Sequence, residues 1–178
     1  ERELARLDEL LGGEGGVLFV TGMGGIGKSS LVREYAATRR ARYDTMLYVQ
    51  FAGTMEQTIA SDRNVTVTTL RQSEERRAGG RYFDRKLRKL RELLQGTASL
   101  LVIDHFTGEV DEDFLAVLET PWKVMVVTRQ APPLPELPAL TVSALAEPEA
   151  LRALFEHHLG RRVRPEELAA FEGLAARA

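Results

Sequence analysis

The chain has 178 residues, 44% of them hydrophobic and 28% charged, with a formal net charge of −2; this is an ordinary globular composition, long enough for one domain with a full core and the start of a second. The near-neutral balance argues against coating nucleic acid by bulk charge, the absence of cysteine excludes disulfides and thiolate metal sites, and apolar runs such as Leu100–Ile103 and Val124–Val127 are far too short to cross a bilayer. No signal-peptide pattern opens the chain, and the absence of cysteine fits a reducing cytoplasmic setting. Because it starts at Glu1 without a Met and ends inside a helical pattern, it reads as a piece of a longer protein.

In chain order, Leu4, Leu7, Leu10 and Leu11 are spaced for one helix face, which the following glycines end. Val17–Thr21 is a short apolar run bounded by glycines, a buried-strand pattern. The glycine-rich segment Gly22–Gly27 follows, and Lys28 to about Arg40 reads as a helix. Thr45–Ala52 has the character of the next strand, whereas Ser61–Leu70, rich in Thr and Val, is ambiguous. Arg81–Gln95 is an amphipathic helix: Phe83, Leu87, Leu90 and Leu94 share a face, with Arg85, Lys86, Arg88 and Lys89 off it. Ser99–Asp104 predicts a third strand, Phe114–Leu118 a short helix, Lys123–Thr128 a fourth strand and Leu140–Ser143 a fifth. Ala131–Pro138, with four prolines, predicts an irregular loop. From Pro148 the pattern is helical. Short buried strands alternating with helices imply an α/β fold, a parallel sheet covered on both faces, with ligands at the carboxyl ends of the strands.

Chemistry is concentrated in three segments. The first, GMGGIGKSS from Gly22 to Ser30, satisfies G-x-x-x-x-G-K-[ST] between a strand and a helix pattern. Such a loop comprises Gly22, Met23, Gly24, Gly25, Ile26, Gly27, Lys28, Ser29 and Ser30. Its glycines let the backbone curl so that several N–H groups face phosphate oxygens, and the helix adds its positive end. Lys28 would bridge the β- and γ-phosphates, and the Ser29 hydroxyl would ligate Mg²⁺. The second, SLLVIDHF, carries a carboxylate, Asp104, out of a buried strand, where a Walker B acid must stand to hold Mg²⁺ or its water. The third, KVMVVTRQ, ends a buried strand in Thr128 and Arg129. Arg129 is either a solvated strand-end residue or a group that reaches a γ-phosphate.

These segments, in this order, resemble the NB-ARC type of STAND P-loop ATPase, a family of plant resistance proteins, apoptotic scaffold ATPases and bacterial multidomain regulators. Besides the three motifs, the opening ERELARLDELL is similar to the family's N-terminal signature. LTVSALAEPEALRALF, Leu140–Phe155, resembles its last strand leading into a small helical domain. The resemblance implies a P-loop NTPase fold with a five-stranded parallel sheet over 1–146 and the beginning of a small helical domain over 147–178. It also implies binding of ATP or ADP with Mg²⁺, Lys28 and Ser29 on phosphate and metal, Asp104 as the Walker B acid and Arg129 as a γ-phosphate sensor. Its members cycle between an ADP-bound closed state and an ATP-bound assembling state. The implied partners are therefore helical, winged-helix and effector domains of the same protein, with nucleotide-dependent self-association. One departure concerns catalysis: many members have a second acid or an Asn directly after the Walker B Asp, and this chain has His105. A neutral imidazole there can still accept a proton from water.

The remaining features have plain readings beside sharper ones. The basic stretch Arg71–Arg91 is a solvated helix face plus loop, or a contact for nucleic acid or an acidic partner. His157 and His158 are adjacent and leave a helix in different directions, which suits core or surface histidines better than a metal pair. Trp122, beside Pro121, is a packing residue at a strand entrance. The leading functional reading is a regulatory, slowly hydrolysing ATPase switch in a signalling protein. A non-hydrolysing nucleotide scaffold and a P-loop small-molecule kinase are the alternatives.

Overall fold

In the computed structural model the described residues are 2–12, 16–61, 81–133 and 135–143, with Glu156, Gly160, Arg162, Arg164 and Glu167. The ambiguous segment after Ser61, the Arg71–Gly80 half of the basic stretch and the two adjacent histidines lie outside them, as does most of the helical pattern after Pro148. The elements run α1 (Arg2–Gly12), β1 (Val17–Thr21), α2 (Lys28–Thr38), a 3₁₀ turn (Arg40–Arg42), β2 (Thr45–Gln50), α3 (Met55–Ser61), α4 (Tyr82–Leu94), β3 (Ser99–Phe106), α5 (Glu112–Leu118), β4 (Lys123–Thr128) and β5 (Ala139–Thr141).

The five strands form one parallel sheet in the order β2-β3-β4-β1-β5. Alternation along the strands divides the core into two layers. Leu18, Val20, Leu100, Val102, Met125 and Val127 face Leu4, Leu7 and Leu11 of α1 and Val32 and Tyr35 of α2. Val17, Phe19, Leu101, Ile103, Val124 and Val126 face α3, α4 and α5 through Ile59, Phe83, Leu87, Phe114 and others. Strands buried on both faces need the continuous apolar runs this sequence shows. The result is the three-layer α/β sandwich of P-loop NTPases that the motifs imply.

Most element bounds agree with expectation to within two residues. The helix α3 was not anticipated, because Met55–Ser61 is too short to show a helical period. Lys86 also departs from its expected place off the apolar face of α4. It is buried, and its ammonium donates to the carbonyls of Ile59 at 2.5 Å and Ala60 at 3.4 Å. A cation is favoured at that helix end, where carbonyls lack partners. Trp122 packs as expected, 5% exposed, with Nε1 donating to the Val117 carbonyl at 2.8 Å. In the described half of the basic stretch, Arg81 pairs with Asp113 at 2.6 Å and Arg91 with Glu119 at 2.8 Å. By spatial proximity the chain divides into two units, Glu1–Val142 and Ser143–Ala178.

Candidate functional site

The glycine-rich loop joins β1 to α2 at the carboxyl edge of the sheet. Gly27 caps α2 in the left-handed region, φ 98°, and no side chain caps the helix. Glycine adopts that conformation without a Cβ penalty, and the uncapped first-turn N–H groups remain directed at the cleft. Gly22 is constrained by space as well as by its φ of 137°: a Cβ there would collide with the backbone carbonyl of Val142, just past β5. The loop therefore holds its course only with glycine at this point.

Lys28 is 8% exposed, and its ammonium donates to the carbonyls of Gly22 and Met23, each at 2.7 Å. Burial lowers its pKa, the Arg129 charge lowers it further, and Asp104 opposes them. A buried ammonium close to a second cation is a strong attractor for an anion. Ser29, in the first turn of α2, donates its hydroxyl to Asp104 Oδ1 at 2.9 Å.

Asp104 is fully buried, and a buried carboxylate is tolerable only when its oxygens are supplied with donors. Oδ1 accepts the Ser29 hydroxyl and, at 2.9 Å, the His105 amide. Oδ2 accepts the Tyr48 hydroxyl, and the Arg33 guanidinium stands 3.9 Å away. Burial first, then the bond to Asp104, pushes the Tyr48 pKa up to about 12, so the phenol stays a donor at neutral pH.

Strand alternation alone would turn His105 away from the face of Asp104. Instead β3 is irregular between Ile103 and Phe106, and His105 has φ 59°. A left-handed residue redirects the chain, and His105 and Asp104 line the same cleft, with Nε2 3.8 Å from Oδ2. Arg129, just past β4, lies against the loop; a Cβ on Gly24 would be 3.0 Å from its Cζ. Lys28, Ser29, Ser30, Asp104, His105 and Arg129 thus border one cleft of about 550 Å³ together with Gly24, Gly25 and Gly27. Met23 lies 77% exposed on the loop, and Ile26 donates its amide to the Met23 carbonyl at 3.4 Å.

Two residues of the site were not singled out by sequence. Arg33, which also borders the cleft, follows Ser29 by one helical turn, a spacing that would have placed it on the same face of α2. Tyr48 gives no such signal, since only the pairing of β2 with β3 brings it to Asp104.

A family model for the NB-ARC domain matches residues 1–134. No curated protein matches the chain. Among solved structures, the Aeropyrum pernix ORC2 protein in ADPNP-ADP complexes is similar at TM-score 0.56 and 17% identity, over 93% of this chain and 52% of that one. A DNA replication initiation factor is similar at TM-score 0.55 and 11% identity, over 99% of this chain and 55% of that one. The Drosophila ORC bound to DNA is similar at TM-score 0.55 and 15% identity, over 88% of this chain and 45% of that one. The chain spans about half the length of these proteins, and at such identities the likeness speaks for the fold. The loop motif, the sheet it stands on and the family match converge: the chain belongs to the NB-ARC domain family and is a nucleotide-binding P-loop ATPase module.

Proposed function

We propose that this module is a regulatory switch that binds ATP or ADP with Mg²⁺ and hydrolyses ATP slowly, within a cytoplasmic signalling protein. The observation that carries this reading is the convergence of Lys28, the Ser29–Asp104 pair and Arg129 on one cleft at the carboxyl edge of the sheet. Uncapped N–H groups of α2, the loop backbone and two cations suit a polyphosphate. In this reading residues 1–146 form the nucleotide domain and 147–178 begin a small helical domain. Further domains of the same protein, and self-association, would read the nucleotide state.

The donor set fits Mg²⁺. A hydroxyl and a carboxylate oxygen are hard ligands, and their 2.9 Å separation is close to the edge of an octahedron with bonds of about 2.1 Å. Among the described residues no group of three His, Asp or Glu could hold a metal alone, which suits an ion that keeps waters and is completed by phosphate. Ser29 and Asp104 would hold it, and bound there it would neutralise charge on the phosphates. Lys28 must leave the Gly22 and Met23 carbonyls to meet a phosphate, so those two bonds are exchanged for charge-assisted ones. Arg129, which borders the cleft beside Gly24, would in this reading meet a third phosphate and so distinguish ATP from ADP. His105 borders the cleft and would in this reading orient water, but it is not the acid that an efficient hydrolase would use.

That same residue favours a second reading, a nucleotide scaffold that does not turn over. Titration of the intact protein with ATP and ADP, followed by multiple-turnover phosphate release, decides between them. Slow release that Lys28→Ala abolishes supports the switch. Tight binding without release supports the scaffold, and transfer of labelled phosphate to a small acceptor would overturn both.

A further inference from the structure

We propose that Tyr48 is a positioning residue for Asp104, fixing the plane of that carboxylate so that the site can use Mg²⁺. The inference rests on the reading of Asp104 as the metal-side acid.

Tyr48 lies on β2, where it pairs with Val102 while Gln50 pairs with Asp104. Tyr48 and Asp104 are thus diagonal neighbours on one face of the sheet, a spacing that a long aromatic side chain can bridge. Its hydroxyl donates to Oδ2, the oxygen that neither Ser29 nor the His105 amide engages. The torsion that turns a carboxylate about its Cβ–Cγ bond is broad and nearly two-fold; the donors on Oδ1 restrain it from one side of the axis only, and a donor on Oδ2 adds a restraint from the other. Donors on both oxygens fix it. Tyr48 provides the second point from a neighbouring strand, and its own position is in turn defined. Its ring carries the Arg33 guanidinium, with Cζ 5.6 Å from the centroid, and Arg33 stands on α2 one turn beyond Ser29. Tyr48 does not border the cleft, so it acts through Asp104 rather than on a ligand.

Tyr48→Phe removes the hydroxyl and keeps the ring under Arg33. The test is titration of the intact protein with a fluorescent, non-hydrolysable ATP analogue in MgCl₂ and in EDTA, for the parent, Tyr48→Phe, Asp104→Ala and the double variant. Thermal melting without nucleotide reports folding. Tyr48→Phe is expected to cut the Mg²⁺ enhancement of affinity about five- to tenfold, less than loss of a direct charge-assisted bond to ligand would because Tyr48 acts through Asp104, with affinity in EDTA unchanged. In the Asp104→Ala background it should have no further effect. Parent-like Mg²⁺ enhancement in Tyr48→Phe, with Asp104→Ala abolishing it, overturns the role of Tyr48 and leaves the reading of the site intact. Equal losses in MgCl₂ and EDTA also overturn it, because they mark Tyr48 as structural only. If Asp104→Ala itself keeps the enhancement, the reading of the metal side falls and the inference with it.

Discussion

The Ser29 hydroxyl and Asp104 Oδ1 are 2.9 Å apart, and this one bond joins the first turn of α2 to the end of β3. It brings the phosphate loop and the acid strand into a single site although 75 residues separate them in the chain.

Lys28→Ala removes the buried ammonium that the loop carbonyls now hold. Each charge-assisted bond to phosphate contributes about 1.5–3 kcal/mol, so affinity for ATP and ADP should fall roughly ten- to a hundredfold. Isothermal titration checks this, and undiminished affinity would contradict the phosphate-loop assignment.

Asp104→Ala should abolish the difference between nucleotide binding in Mg²⁺ and in EDTA. It should also lower stability by about 1–3 kcal/mol, because Ser29, Tyr48 and the His105 amide lose a buried acceptor. Urea denaturation measures the second effect, titration the first. A variant that keeps the Mg²⁺ difference identifies Asp104 as purely structural.

Arg129→Ala should weaken ATP binding more than ADP binding, since only ATP offers a third phosphate to a guanidinium beside the loop. Losses of the same size for both nucleotides would return Arg129 to a solvated strand-end role.

His105→Asp should hydrolyse ATP faster than the parent in single-turnover experiments at fixed occupancy, because it supplies a carboxylate base at the cleft. Aspartate also tolerates the φ of 59° at this position better than most residues, whereas His105→Glu adds the base with more backbone strain. A parent that already turns over rapidly, with a rate untouched by His105→Ala, would remove His105 from the mechanism.

Lys86→Met tests the fold independently of the site. It keeps the length of the side chain but strips the carbonyls of Ile59 and Ala60 of their donor. A loss of about 1–2 kcal/mol is expected, read as a lower melting temperature with nucleotide affinity unchanged. A melting temperature equal to the parent's would show that those carbonyls find other partners.

The sheet and the phosphate loop were legible because each rests on a local pattern. Val17–Thr21, Leu100–Ile103 and Val124–Val127 are continuous apolar runs, and the loop motif has fixed spacing. Asp104 was legible only as the end of such a run. What the sequence left out depends on pairing between distant segments. The bond from Tyr48 to Asp104 exists because β2 lies beside β3 in one register, and no spacing within either strand records that. The direction of His105 could not be read from sequence for a related reason, since regular strand alternation would turn it from Asp104 and only the left-handed residue brings both to one cleft. Lys86 was placed by polarity alone, and its methylene stem and a facing helix end make a buried position acceptable.

In the strand order, β4 lies between β1 and β3. The loop that would hold phosphate and the acid that would hold its metal are therefore carried by strands that do not touch each other, at about twice the usual interstrand spacing of 4.8 Å. The width of the cleft is a property of β4, which holds one strand spacing on either side and whose Val124 and Val126 are completely enclosed in the core. The strand that leads into Arg129 is thus a spacer, and if Arg129 engages a third phosphate as proposed, a shift along β4 would be felt by both halves of the site at once.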